Sequence, residues 1–271
     1  MAFQTWQVGL DIQNTQLCAL AIQRRRDGWQ LRRWWQQGLP KDTLRNGMLQ
    51  SSPALQAALC KLQQQLPQRY SLRVGLPAQL VLQRPLTLPA QHLQEPALGR
   101  YVTAAAQRLF PVDADVLALD YRASDRENQL CVTAARREAI AQWLTPLQQS
   151  GLQPAVFELT THALALTAQL GGLEEGAALL LHQDTHWLWY SRTSNVPVGY
   201  ADCAIAPETL AQRCFPSASV RYGCVPAHIA LPDTFTPFSP LSLFACRQPP
   251  LPQQEAPFCI AAGLALRPED S

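Results

Sequence analysis

Asp11 is the first residue whose type and placement suggest chemistry. It closes an apolar run in "VGLDIQNTQLC" (residues 8–18), a short polar turn Gln13-Asn14-Thr15 follows, and the chain becomes apolar again. A strand, an acid, a polar turn and a second strand are how a phosphate-cradling hairpin begins, because backbone N–H groups in such a bend can hold an anion. Close approach of the backbone is easiest at glycine, and this turn has none. The pattern returns in "AALLLHQDTHWLWYSR" (177–192), two strands around His182-Gln183-Asp184-Thr185, again without a turn glycine and with bulky Trp187 and Trp189 behind it.

Other reactive side chains read more simply. Asp184 with His182 or His186 is half of a hydrolase dyad, but no nucleophile elbow accompanies it, so a solvated turn is the better reading. His162 lies on an apolar helical stretch as a core or boundary histidine. "RRRDGWQLRRWW" (24–35) interleaves five arginines with tryptophans, either a stacking groove for single-stranded nucleic acid or a strand and turn with one basic edge. The balance of 22 Lys and Arg against 20 Asp and Glu favours the edge, since no global field draws the chain to polyanions. Eight cysteines stand singly, with no CxxC pair and no zinc-finger spacing, so no metal site is assigned and most are expected to be small buried hydrophobes.

Positioning these residues requires an α/β framework, and the periodicity supplies one. Alternation over Trp6–Ile12, Leu17–Ile22 and Trp29–Trp34 predicts three strands. Ser52-Pro53 starts a helix with a stripe of Leu55, Leu59, Leu62 and Leu66. "SLRVGLP" reads as a buried strand, and "AQLVLQRPLTLP" as an extended segment that Pro85 and Pro89 confine to an edge. A helix is expected from about 96 to 110, then strands "VLALDY" and "LCVTAA", a helix closed by Gly151, strand "AVFEL" and helix "THALALTAQL". "GGLEEG" (171–176) marks a joint. Beyond it the proline-rich 215–257 supports little helix, and "FCIAAGLALR" closes the chain as a small-residue helix. The expected domains are a first lobe at 1–170, with an inserted sub-lobe at about 75–150, and a reduced second lobe at 177–271. No segment has the basic and apolar run of a leader or the length of a transmembrane span, which predicts a cytoplasmic protein.

In their order, "VGLDIQNTQLCALAI", "VGLPAQLVLQRPLTLP", "LALDYR", "CVTAARREAI", "LQQSGLQPAVFELTTHALAL" and "AAGLALR" resemble the type IV pilus assembly protein PilM family, and within it the HofM-type members. The resemblance is nearly continuous over the first 170 residues and thin beyond 200. It implies an actin-like (ribonuclease H-like, duplicated) bilobal α/β fold with a shortened second lobe. It also implies docking on the cytosolic tail of a PilN- or HofN-like inner-membrane protein, contact with other pilus assembly platform proteins, and a role in the use of external DNA; the near-neutral charge argues against direct binding of nucleic acid. The actin-like fold of the type II secretion protein GspL is a close competitor.

The same resemblance places a nucleotide site at two hairpin turns and one helix. Its residues here would be Asp11, Gln13, Asn14, Thr15, Asp184, Thr185 and Gly263. Asp11 could orient a magnesium-bound water and Thr15 could meet a phosphate oxygen, whereas Gln13 stands where the family turn has glycine. Gly263 marks either the adenosine end or tight helix packing. The expectation is a scaffold with no catalytic residue and no cofactor, ATP and magnesium being weakly held or lost; the alternative is an actin-like ATPase. Arg84, Tyr101 and Arg137 are the candidate rim of the partner groove, in the sub-lobe that resembles the family's docking region.

Overall fold

The alternation of the first forty residues folds as a meander. In a computed structural model, which describes residues 5–89, 93–124, 126–194 and 196–269, β1 (Trp6–Ile12), β2 (Gln16–Arg25) and β3 (Gly28–Gly38) pair antiparallel in sequence. Residues 1–4, and Asp125 in the loop expected after "VLALDY", lie outside the described residues. Short strands β4 (Leu44–Arg45) and β5 (Met48–Leu49) precede helix α1 (Pro53–Gln65). The Ser52 hydroxyl caps α1 by accepting from the Leu55 N–H at 3.1 Å, Pro53 fits the first turn, and Leu55, Leu59 and Leu62 are buried along one face.

The chain divides into two compact units. The smaller comprises Asn46–Leu49 and Gln79–Thr145. In it, β7 (Val81–Thr87), β8 (Leu117–Ala123) and β9 (Gln129–Arg136) form a sheet in the order β7-β9-β8. Pro85 thus sits on an edge strand, where its missing N–H leaves the ladder intact. Helix α2 (Ala97–Leu109) lays Val102, Ala105 and Ala106 on Leu86, Leu117, Leu130 and Val132. Trp143, on helix α3 (Arg137–Gln149), is fully buried and donates its indole N–H to the Gly47 carbonyl at 3.0 Å.

The larger unit holds two related sheets. In the first, β6 (Tyr70–Leu76) runs parallel to β1, and β10 (Pro154–Leu159) parallel to β6. Helix α4 (Thr160–Leu170) follows. The second is built from β11 (Ala177–Gln183), β12 (His186–Ser191) and β13 (Val198–Asp202) as a new meander. After helix α5 (Pro207–Cys214), β14 (Val220–Cys224) returns parallel to β11, with β15 (Thr236–Pro237) beyond it. The order β3-β2-β1-β6-β10 therefore recurs as β13-β12-β11-β14-β15, the internal duplication of the actin-like fold. β16 (Cys246–Arg247) adds to the β3 edge.

Helix α6 (Cys259–Leu266) joins the two sheets. An added Cβ on Gly9 of β1 would lie 2.0 Å from the Ala261 carbonyl oxygen, and one on Gly263 would lie 2.0 Å from that of Ala163 on α4. Only hydrogen at both positions lets α6 lie flat between sheet and helix. Around this contact, Leu164, Ile260 and Leu264 pack on Leu179, Leu181 and Leu188 of the second sheet, while Ala261 and Ala265 pack on Leu20, Ile22 and Leu31 of the first. Of the eight cysteines, which are all free thiols, only Cys18, Cys224 and Cys259 are buried; Cys203 and Cys246 are exposed. The expectation of mostly buried cysteines thus fails: Cys60, Cys131 and Cys214 are half-buried, Cys246 lies on the short edge strand β16 of the first sheet, and Cys203 follows the edge strand β13 of the second.

Candidate functional site

The two polar turns meet in the larger unit. The first lies between Gln13 and Gln16, where the Gln13 N–H donates to the Gln16 carbonyl at 2.8 Å. The second is the two-residue bend Asp184-Thr185, with Asp184 at φ 51°, a left-handed conformation that aspartate tolerates better than most side chains. That bend turns the Asp184 carboxylate onto the first hairpin. Its oxygens accept from the Thr15 backbone N–H and from the Thr15 hydroxyl, each at 2.8 Å.

Asp11 lies beneath, 1% exposed. Its Oδ2 accepts from the side-chain amides of Gln13 at 2.7 Å and Gln183 at 2.8 Å, one from each hairpin. Gln13 also donates to the Pro257 carbonyl at 3.0 Å, and its own oxygen accepts from Gln16, which in turn accepts from Gln36, both at 2.8 Å. A chain of glutamine amides therefore runs from the surface to one buried acid. Desolvation by burial, opposed by the two amide donors, pushes the Asp11 carboxyl up from 3.8 to about 7. Above these groups opens a cleft of about 680 Å³, lined by Gln13, Thr15, Trp34, His182, Asp184 and His228 among others.

Asp11, Gln13, Thr15 and Asp184 are thus brought together, and the other candidates are not. The Asn14 side chain accepts from the Leu44 N–H at 3.1 Å and braces the segment after β3. Thr185 is exposed and touches His186. Gly263 makes the close helix approach to α4 described above. Trp187 and Trp189 do not crowd the second turn: period-two alternation sends them to the face with Leu210 and Phe215 around α5, while Leu181 and Gln183 lie on the other face, Leu181 in the core with Leu264 and Gln183 on Asp11. His182 packs edge-on against Trp187 at 4.6 Å rather than pairing with Asp184. Gln16, Gln36, Gln183 and Pro257 escaped the sequence reading. The alternation Leu179, Leu181, Gln183 would have placed Gln183 on the inner face.

In the smaller unit, Arg84 is exposed on β7 and donates to the Gln83 carbonyl at 2.9 Å. Tyr101 of α2 donates its hydroxyl to the Thr87 carbonyl at 3.0 Å, and Arg137 donates to the Asp115 carbonyl at 3.1 Å. The large apolar side chains Leu82 and Val116, both exposed, lie close by in sequence. Among the described residues no His, Cys, Asp or Glu cluster is placed to hold a metal, and no helix is long and apolar enough to cross a membrane.

A family model described as type IV pilus assembly protein PilM matches residues 9–174. The DNA utilization protein HofM of Escherichia coli (strain K12) is 32% identical over 270 residues, 98% of each chain, so the likeness extends past residue 200 where the motifs thin out. Among solved structures, a chain of the PilM-PilN type IV pilus biogenesis complex superposes with a TM-score of 0.68 at 19% identity, over 96% of this chain and 97% of that one. The cytoplasmic domain of EpsL, an inner-membrane component of the type II secretion system of Vibrio cholerae, gives 0.54 at 13%, over 87% and 91%. These two likenesses are of fold, and they agree with the strand order repeated in both sheets. With the match to the family model and to HofM, the chain belongs to the type IV pilus assembly protein PilM family.

Proposed function

We propose that this chain is a non-enzymatic scaffold of a type IV pilus-like or DNA-uptake assembly platform. It is cytoplasmic, docks on the cytosolic tail of a PilN- or HofN-like inner-membrane protein, and links that protein to the rest of the platform. Family membership supports the setting, since the PilM relative was solved in a complex with PilN and the HofM relative is described as a DNA utilization protein.

The observation that carries the non-enzymatic part is the Asp184 carboxylate on the N–H and hydroxyl of Thr15. In a phosphate cradle these donors would meet phosphate oxygens; here an acid of the chain takes them. Gln13 is likewise committed to Asp11 and Pro257. A magnesium triphosphate does not fit the residues as they stand. It would have to displace both side chains and bring further negative charge against a buried carboxyl that already resists ionisation. The alternative of an ATP-binding protein draws on the family resemblance at the two turns and on the cleft that opens over Thr15 and Asp184.

Titration with a synthetic peptide of the partner's N-terminal tail is expected to give micromolar binding, and none at high micromolar concentration overturns the docking. Calorimetry with ATP and magnesium is expected to show neither binding nor turnover. Magnesium-dependent binding that Asp11→Ala abolishes would establish the alternative.

A further inference from the structure

The five arginines at the far end of the first hairpin are held by the protein without being neutralised by it. The Arg24 guanidinium lies 5.2 Å from the Trp29 ring centroid, Arg32 5.6 Å from Trp6, and Arg33 5.8 Å from Trp35. Arg25 and Arg32 also donate to the Gln30 side-chain oxygen, each at 3.2 Å. Arg26 stands exposed in the turn. No carboxylate among the described residues forms an ion pair with any of the five. Like charges gathered this closely repel one another, so the arrangement is favourable chiefly when an external anion completes it.

Arg24 and Arg25 lie past Ile22, where the pairing with β1 ends, and pair with Trp29 and Gly28 of β3, so they project at the free end of the hairpin. The form of the anion follows from where the guanidiniums sit. Arg24 shares with Trp29 the face that packs towards α6, whereas Arg33 shares with Trp35 the face towards the end of α1, and Arg26 is at the tip. An extended acidic peptide follows one line and would miss one face or the other. Single-stranded nucleic acid needs free ring faces to stack on, but Trp6, Trp29 and Trp35 each serve as the platform of an arginine. A plane of mobile phosphates into which the tip presses meets Arg24, Arg25 and Arg26 together, whichever face each occupies. A hollow of about 520 Å³ lined by Arg25, Arg26 and Trp29 offers room for a headgroup; the exposed Asp27 also lines it, one carboxylate against the arginines around the tip.

We propose that the tip of the β2–β3 hairpin is a contact surface for the phosphates of anionic membrane lipids. This surface is separate from the cleft: β2 has Gln16 at the cleft end and Arg25 at the tip, roughly 30 Å apart along an extended strand. It is also independent of tail docking, which concerns a protein partner.

The test is co-sedimentation of the full chain with phosphatidylglycerol-rich vesicles and with pure phosphatidylcholine vesicles. Binding is expected only to the former, weakening as salt rises from about 0.05 to about 0.3 M. An arginine at such a surface contributes about fivefold in affinity, so Arg24→Gln, Arg25→Gln and Arg26→Gln together should lower binding by about a hundredfold. Arg26→Glu alone, at a side chain that holds nothing in the fold, should lower it by at least about fivefold. The parent's tail-peptide affinity should be unchanged in both variants, which separates this surface from the docking reading. Failure to bind anionic vesicles, binding that the variants leave intact, or preferential capture of a single-stranded oligonucleotide or of polyglutamate overturns the proposal.

Discussion

The Asp184 carboxylate grips Thr15 across 169 residues of sequence, taking both its backbone N–H and its hydroxyl at 2.8 Å. The bond joins the two hairpin turns through an anion that belongs to the chain, so the turns are held together without a ligand. Charge-assisted bonds of this kind contribute more than neutral ones, and removing one partner strands the other. Asp184→Ala is therefore expected to cost about 1–3 kcal/mol in urea unfolding. It should also free the Thr15 donors for an external anion. Millimolar inorganic phosphate is expected to raise the Tm of the variant and leave the parent unmoved. Equal stabilisation of both would mean that Asp184 does not fill the anion seat.

Asp11 predicts a pH dependence whose sign follows from its burial. Its folded value of about 7 lies above the unfolded 3.8, so between these two the folded state keeps a proton that the unfolded chain has released. The contribution is fully present below the lower value, declines by up to about 1.4 kcal/mol per pH unit, and is exhausted once pH passes about 7. The whole change is on the order of 4 kcal/mol. Asp11→Asn removes the titrating group while keeping an oxygen for Gln13 or Gln183. The difference in stability between parent and variant should shrink or reverse from pH about 5 to about 7 and stay constant above. A difference that does not vary with pH would show that Asp11 is ionised throughout.

Gly263 and Gly9 should be intolerant for a reason that involves no ligand. In each an added methyl meets a backbone carbonyl at 2.0 Å, which no rotamer change relieves. Gly263→Ala or Gly9→Ala would have to part α6 from α4 or from β1, and either should cost about 3 kcal/mol or more, seen as a lowered urea midpoint in ligand-free protein. Gly38→Ala, with nothing within 4 Å, is the control and should be nearly neutral. A mild effect of Gly263→Ala on stability would reopen a binding role for that residue.

These residues also mark how far the sequence could be read. Local signals carried through: Ser52-Pro53 with Leu55, Leu59 and Leu62 announced α1, alternation announced β1 and β2, and apolar runs either side of a polar turn announced β11 and β12. β14 was not foreseen, although it pairs with β11 and completes the repeat of strand order. Its five residues, Val-Arg-Tyr-Gly-Cys, are too few and too mixed to alternate, and burial by neighbours decides its form. At the site, Asp11 and Gln13 could be picked out as chemistry-bearing; strand parity could have put Gln183 on the inner face, but nothing local tells that its amide meets Asp11 from 172 residues away. The tryptophans were misplaced because size was weighed before strand parity, which alone decides which face of β12 they occupy.

The smaller unit supplies the test of where a partner tail binds. Arg84 and Arg137 are exposed, each donates to a backbone carbonyl of its own unit, and among the described residues neither forms an ion pair. Leu82 and Val116 expose apolar surface two residues from Arg84 and next to Asp115, the acceptor of Arg137. A tail that lays apolar side chains on such a surface while its polar groups meet the guanidiniums would lose both kinds of contact separately. Arg84→Ala and Arg137→Ala should each weaken the tail peptide by about 5- to 50-fold, and Leu82→Asp by at least as much, with Tm unchanged within about 2 °C. Tyr101→Phe would behave differently, because its hydroxyl ties α2 to the Thr87 carbonyl, and a fall in Tm should accompany any fall in affinity. If calorimetry finds the peptide bound normally by both arginine variants and by Leu82→Asp, the tail lies on another face of the molecule.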